Sequence, residues 1–153
     1  MKVYIYSRKA IEKLIRTKSL DQSAIISFYD PDLLAVDENY KPVDFSSINN
    51  RVFLIGLYDT DIDSLKDFEM TYDDYFPEAQ ELAGFICSAY DDGLNVICQC
   101  EHGESRSAGC ASAILEHFYG TGILVFADYR YCPSQLVYNK MIDALEKNKE
   151  KNR

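Results

Sequence analysis

Four short apolar runs, spaced by segments of helical periodicity or by polar loop, constrain the fold of this chain more than any other feature. They are Val3-Tyr4-Ile5-Tyr6, Ala24 to Tyr29 (AIISFY), Val52 to Tyr58 (VFLIGLY) and Asn95 to Gln99 (NVICQ). All are rich in β-branched and aromatic residues and too short for helices, so they read as strands. Ser7 can cap a helix that carries Ala10, Ile11, Leu14 and Ile15 on one face. Residues 31–50 are polar, contain Pro42 and read as loop. Thr71-Tyr72-Asp73-Asp74 resembles a capping box opening a long helix, with Phe76, Ala79, Ala83, Ile86, Cys87 and Tyr90 at helical spacing up to Asp92-Gly93. From Arg106 to Tyr119 the residues are small enough for a tightly packed central helix, which Gly120-Thr121-Gly122 stops. Ile123 to Phe126 suggests a fifth strand, and Pro133 suits the first turn of a last helix through Leu136, Val137, Met141, Ile142 and Leu145. Strands alternating with helices predict an α/β fold: a central, mostly parallel sheet of four to five strands flanked by helices. The length predicts one domain over residues 1–153, with 147–153 as a frayed basic tail.

The balance of charge limits the partners. Net charge is −9, and the only dense basic run is that tail, so neither nucleic acid nor an anionic membrane surface is expected to bind. No apolar run is long enough to span a bilayer, and Met1 to Ser7 lacks the features of a signal peptide, so a cytoplasmic location is expected. Five cysteines, an odd number without framework spacing, read as thiols. Cys98, Cys100 and His102 form a C-x-C-x-H pattern, but metal pairs are usually spaced C-x2-C and no second pair follows; no metal and no cofactor are expected. Cys87, Cys98 and Cys110 read as packing and Cys132 is unplaced. His117 reads as surface or satisfied core.

The chemistry concentrates in Cys100-Glu101-His102-Gly103-Glu104-Ser105-Arg106-Ser107, between the strand NVICQ and the small-residue helix. In a parallel sheet this is the carboxyl edge, where ligands bind. A loop entering a helix aims several N–H groups at one point, and the helix dipole adds positive character. Gly103 lets those amides curve into a nest, and Arg106 can fork onto two oxygens. Glu101, His102, Gly103, Glu104, Ser105 and Arg106 therefore form a candidate cradle for a tetrahedral dianion such as phosphate, sulfate or vanadate. A thiol in such surroundings ionises readily, which would make Cys100 a nucleophile facing phosphorus. Ser107 could donate a hydrogen bond to that sulfur and ease its departure.

Cys100, Gly103, Arg106 and Ser107 together resemble the Cys-x5-Arg-Ser/Thr signature of the cysteine-based protein tyrosine phosphatase superfamily. The length, and the motif two-thirds along the chain, are most similar to the compact dual-specificity branch of bacterial or phage type; in the low-molecular-weight branch the signature lies near the amino terminus. The resemblance covers residues 52–119. It implies a metal-independent phosphate monoester hydrolase with a cysteinyl-phosphate intermediate, acting on a phosphorylated protein or a small phosphate ester. It also implies an aspartic acid after a strand that protonates the leaving oxygen and then activates water. Asp59, directly after VFLIGLY, is the first choice, with Asp61, Asp63 and Asp67 as alternatives.

Two departures stand out. Gln99 occupies the place of the histidine that usually precedes the nucleophile. Pro133-Ser134 stands where some members brace the loop with Pro-Asn. Glu101 and Glu104 make the pocket mouth acidic, against substrates carrying several phosphates. One of Tyr58, Tyr72, Tyr129 or Tyr131 could line the pocket. A phosphate-binding pseudophosphatase and a rhodanese-like sulfur carrier are the competing functions.

Overall fold

The computed structural model describes residues 1–152. Its elements are β1 (Val3–Ser7), α1 (Arg8–Arg16), β2 (Ser23–Tyr29), α2 (Pro31–Val36), β3 (Val52–Gly56), a 3-10 turn (Leu65–Phe68), α3 (Ala79–Asp91), β4 (Asn95–Cys100), α4 (Arg106–Tyr119), α5 (Ile123–Ala127) and α6 (Gln135–Lys151). The four strands form one parallel sheet in the order β1-β4-β2-β3. β4 lies between β1 and β2, with Cys100 opposite Ser7, and Gln99 opposite both Tyr6 and Ser27. The strand that ends on Cys100 is thus fixed from both sides.

Alternation along the strands separates two cores. Ala24, Ile26, Phe28, Val96, Cys98 and Cys100 face the larger one, which Leu82, Ile86, Ile114, Val137, Met141 and Leu145 of α3, α4 and α6 complete. Ile25 and Ile97 face the other way, against Ile11 of α1 and Val43. Period-two geometry therefore sends Cys100 to the α4 side and Gln99 to the α1 side. Burying a side chain of the Ile or Leu size stabilises by about 1.5–3 kcal/mol, so the larger core dominates the fold.

The small residues of α4 have a specific use. A Cβ on Gly109 would lie 2.4 Å from the carbonyl oxygen of Ser134, so glycine is what lets α4 meet the segment leading into α6. Ser7 caps α1 by accepting from the Ala10 N–H at 3.1 Å. Ser134 caps α6 in the same way, through the Val137 N–H at 3.2 Å, which moves the start of that helix past Pro133.

Three local expectations need correction. Ile123 to Phe126 is not a strand but the short helix α5. A short apolar run carries no decisive period. Here Ser112 Oγ donates to the Gly122 carbonyl at 2.8 Å and the Gly122 N–H donates to Glu116 Oε2 at 2.9 Å, tying the run to α4 and away from the sheet. Thr71 and Asp74 do make capping-box hydrogen bonds, but the helix opens only at Ala79: Phe76 has φ +57° and Pro77 follows it. Residues 31–50 are not all loop, since Pro31–Val36 is helical, and Val43, Phe45 and Ile48 cover the second face of the sheet. At the other end α6 continues to Lys151, while Arg153, part of the expected tail, lies outside the described residues. Among the described residues no helix is long and apolar enough to cross a membrane.

Gly109→Ala forces that contact apart and should destabilise the fold by about 1–3 kcal/mol. Urea denaturation should show a lower midpoint with an unchanged slope.

Candidate active site

The loop between β4 and α4 is held from outside by its own carbonyls. The Glu101 carbonyl accepts from the Arg8 N–H at 3.1 Å and the Glu104 carbonyl from the Cys132 N–H at 2.9 Å. The Ser105 carbonyl accepts from the N–H groups of Ser134 (3.0 Å) and Gly109 (2.8 Å). Among the described residues, no N–H from His102 to Ser105 is taken up by another backbone carbonyl. A backbone with its carbonyls engaged outward and its amides unclaimed is what an anion nest requires. Gly103, at φ +68°, makes the turn, and a Cβ there would lie 2.6 Å from the Ser7 nitrogen. Both its conformation and its contact with the end of β1 exclude a side chain.

Inside this loop Cys100 Sγ lies 3.0 Å from Ser107 Oγ, and both residues are buried. Arg106 is 3% exposed. Its Nη1 donates to Asp30 Oδ1 at 2.6 Å and to the Leu57 carbonyl at 2.9 Å. Its Nε is buried with no hydrogen-bond partner. Burial works to lower the Arg106 pKa, but Asp30, through its charge and its hydrogen bond, with smaller contributions from its other neighbours, outweighs it and the net shift is upward, so the cation is secure. Leaving a buried N–H unmet costs about 1–3 kcal/mol, more when it is charged, so this nitrogen calls for an acceptor.

The carboxylates separate clearly. Asp59 Oδ1 accepts from Ser105 Oγ at 2.8 Å, which ties Asp59 to the loop. Asp61 is exposed and accepts from the Ser64 N–H at 2.8 Å; hydrogen bonds to Ser64 hold its carboxyl below the usual carboxylate range. Asp63 and Asp67 are exposed and make no hydrogen bond to the loop. Asp59, Asp61 and Asp63 line a cleft of about 570 Å³ with Ser105, Cys132 and Ser134. Asp59 also lines a smaller cavity of about 220 Å³ with Asp30, Tyr58 and Phe68. Cys100 lines neither and is 2% exposed, buried at the end of β4 where the loop begins.

Glu101, His102 and Glu104 have partly or fully exposed side chains, consistent with a cradle made by their backbone. Gln99 is buried on the opposite face, where Ser27 Oγ donates to its Oε1. Pro133-Ser134 does sit against the loop, but the brace is the Ser134 N–H and the Ser134 side chain is used as a helix cap. Of the four tyrosines, Tyr58 lines the smaller cavity; Tyr72 bonds Asp143, and Tyr129 is 96% exposed. Cys98 is fully buried, and burial first, then its Cys110 neighbour, pushes its thiol well up, so it packs as a neutral group. Cys132 lies in the loop's brace.

Sequence reasoning missed two residues. Asp30, between β2 and Pro31, belongs to no motif, yet it holds Arg106. Tyr75 belongs to none either, yet its hydroxyl donates to the Tyr58 carbonyl at 2.6 Å, just before Asp59. Burial, and then the charge of Asp59, push the Tyr75 hydroxyl well up, so it stays a donor. Only the position of Asp30 at the carboxyl edge of β2 could have signalled it.

Comparison with known proteins gave no matching family model and no matching curated protein. Solved structures do match over nearly the whole chain. The human tyrosine phosphatase-like serine/threonine/tyrosine-interacting protein has a TM-score of 0.60 at 15% identity, covering 98% of this chain and 92% of its own. Human DUSP28 has a TM-score of 0.59 at 13% identity, covering 97% and 94%. PTPMT1, solved in complex with PI(5)P, has a TM-score of 0.54 at 11% identity, covering 99% and 95%. With its parallel sheet, its loop between β4 and α4 and these neighbours, the chain has the compact dual-specificity fold of the cysteine-based protein tyrosine phosphatase superfamily.

Proposed function

We propose that this protein is a phosphate monoester hydrolase that works through a cysteinyl-phosphate on Cys100. The observation that carries this reading is the unpartnered, buried Nε of Arg106 beside the loop that starts at Cys100. A phosphoryl group in that loop would meet the free amides and the guanidinium together. Fixed donors of this kind each contribute about 2.7–4 kcal/mol to a developing anion.

In the first step the Cys100 thiolate attacks phosphorus, the S–P bond forms and the P–O bond to the leaving group breaks. Asp59 gives its proton to the departing oxygen. Its hydrogen bond to Ser105 keeps it at the rim, where that oxygen would emerge. In the second step water attacks phosphorus while Asp59, now a carboxylate, takes its proton. The S–P bond breaks and the sulfur leaves as a thiolate, with the Ser107 hydroxyl 3.0 Å away to stabilise it. Inorganic phosphate departs. Tyr75 supports the acid by fixing the Tyr58 carbonyl.

The acidic rim of Glu101, Glu104, Asp59, Asp61 and Asp63 favours a phosphorylated protein or a small phosphate ester over a ligand with several phosphates. Phosphate, sulfate and vanadate should bind as product-like ligands. A second reading, a phosphate-binding module with weak turnover, is favoured by one observation: Gln99 replaces a histidine and is engaged with Ser27 rather than with the loop. One structural neighbour is named as a phosphatase-like interacting protein, so the fold alone does not separate the two.

Hydrolysis of p-nitrophenyl phosphate separates them. The wild-type protein should turn over, and Cys100→Ser should abolish turnover while still binding vanadate or phosphate. Phosphate binding without wild-type turnover would establish the second reading. Asp59→Asn should lower kcat by about 100-fold or more for a poor leaving group and less for p-nitrophenol. Tyr75→Phe should lower kcat by about tenfold or less with phosphate affinity unchanged, since it removes one hydrogen bond of about 1 kcal/mol from the acid loop and none from the cradle.

A further inference from the structure

Asp30 follows β2, outside the phosphate loop, yet it holds the arginine on which the loop depends. Its Oδ1 takes Arg106 Nη1 at 2.6 Å, with the Leu57 carbonyl on the same nitrogen at 2.9 Å. The Arg106 side chain is 4% exposed and that of Asp30 23%. Asp30 also stands at the N-cap of α2, where a carboxylate ordinarily accepts from the first-turn N–H groups, and it makes no such bond. Its oxygen is committed to Arg106 instead. Asp30 is itself fixed: its N–H donates to the Tyr40 hydroxyl at 3.1 Å. The Tyr40 ring carries the Arg8 guanidinium at 5.6 Å, and the Arg8 N–H in turn holds the Glu101 carbonyl.

We infer that Asp30 is a positioning residue for Arg106, holding Nη1 against the sheet edge so that Nε stays free for a bound oxyanion. The inference rests on the phosphatase reading above. Two effects of opposite sign meet here. The charge of Asp30 repels a dianion in the loop, whereas its hydrogen bond fixes the guanidinium in the geometry the dianion needs. Removing a charge alone would tighten anion binding. Releasing a long, flexible side chain from the carboxylate that holds it would weaken it. A displacement of about 1 Å at a reacting centre can cost about 100-fold, so the second effect prevails.

The test is calorimetric titration of the full chain with inorganic tungstate, together with p-nitrophenyl phosphate kinetics, for Asp30→Asn and Asp30→Ala. Each is made alone and with Arg106→Ala. Asp30→Ala should weaken tungstate binding and lower kcat/KM by about 10- to 100-fold. Asp30→Asn, nearly isosteric and still an acceptor, should fall between it and the wild type, and it carries the test if the alanine variant does not fold. In the Arg106→Ala background the loss of Asp30 should leave tungstate affinity unchanged or raise it, because only the repulsion remains. A general structural role would weaken binding in both backgrounds and would overturn the inference. Tungstate binding by both single variants as tight as in the wild type would overturn it too. A wild-type protein that turns over normally beside unimpaired Asp30 variants sinks this role alone. A wild type that neither binds tungstate nor turns over sinks the phosphatase reading and this role together.

Discussion

The outward hydrogen bonds of three loop carbonyls, on Glu101, Glu104 and Ser105, are the constraint on which the rest depends. A peptide unit is planar, so fixing a carbonyl on one side commits the attached N–H to the opposite side. The partners outside the loop and α4 come from two places: the start of α1 through Arg8, and the approach to α6 through Cys132 and Ser134. Each of these segments is anchored independently, by the Ser7 cap in one case and by the Ser134 cap and the Gly109 contact in the other. The cradle is thus built by secondary structure that never touches a ligand. Its stiffness is inherited from the sheet and from α4.

The same logic shows what an acidic chain needs in order to hold a dianion. A net charge of −9 should repel phosphate at long range. Exposed charges farther apart than a Debye length, about 8–10 Å, are largely screened, whereas contacts inside the loop are not. Arg106 is nearly sealed from solvent and its charge is already shared with Asp30. The field that would meet a ligand comes from the free Arg106 Nε and the oriented amides at the α4 terminus together. Such a site gains affinity from geometry rather than from net charge, which is why so much structure is spent on orientation.

The order of strands and helices was legible because each strand shows its period and its β-branched content over several residues. The loop was legible because Cys100, Gly103, Arg106 and Ser107 form a local pattern whose spacing has a physical meaning. Ile123 to Phe126 failed because four apolar residues carry no decisive period, and the hydrogen bonds that make them a helix reach across from Ser112 and Glu116. The helix expected from Thr71 failed at one residue, Phe76, whose positive φ no pattern of polarity announces. Asp30 and Tyr75 were illegible for a common reason. Each is defined by a partner far away in the chain, Arg106 in one case and Tyr58 in the other.

Gln99 shows how far local chemistry and topology can diverge. It directly precedes Cys100, so the sequence pattern alone places it beside the candidate site. Strand geometry sends its side chain to the α1 face, where it meets Ser27 across the β2–β4 pairing. A side chain there acts on Cys100 only through the backbone they share. Histidine at this position could add a donor and a charge, but from the far side of the sheet and not from within the loop. The glutamine therefore leaves the cradle intact while removing one means of favouring the thiolate. The two functional readings share the amides and Arg106; only turnover needs the sulfur ionised for attack and Asp59 placed to protonate the leaving oxygen.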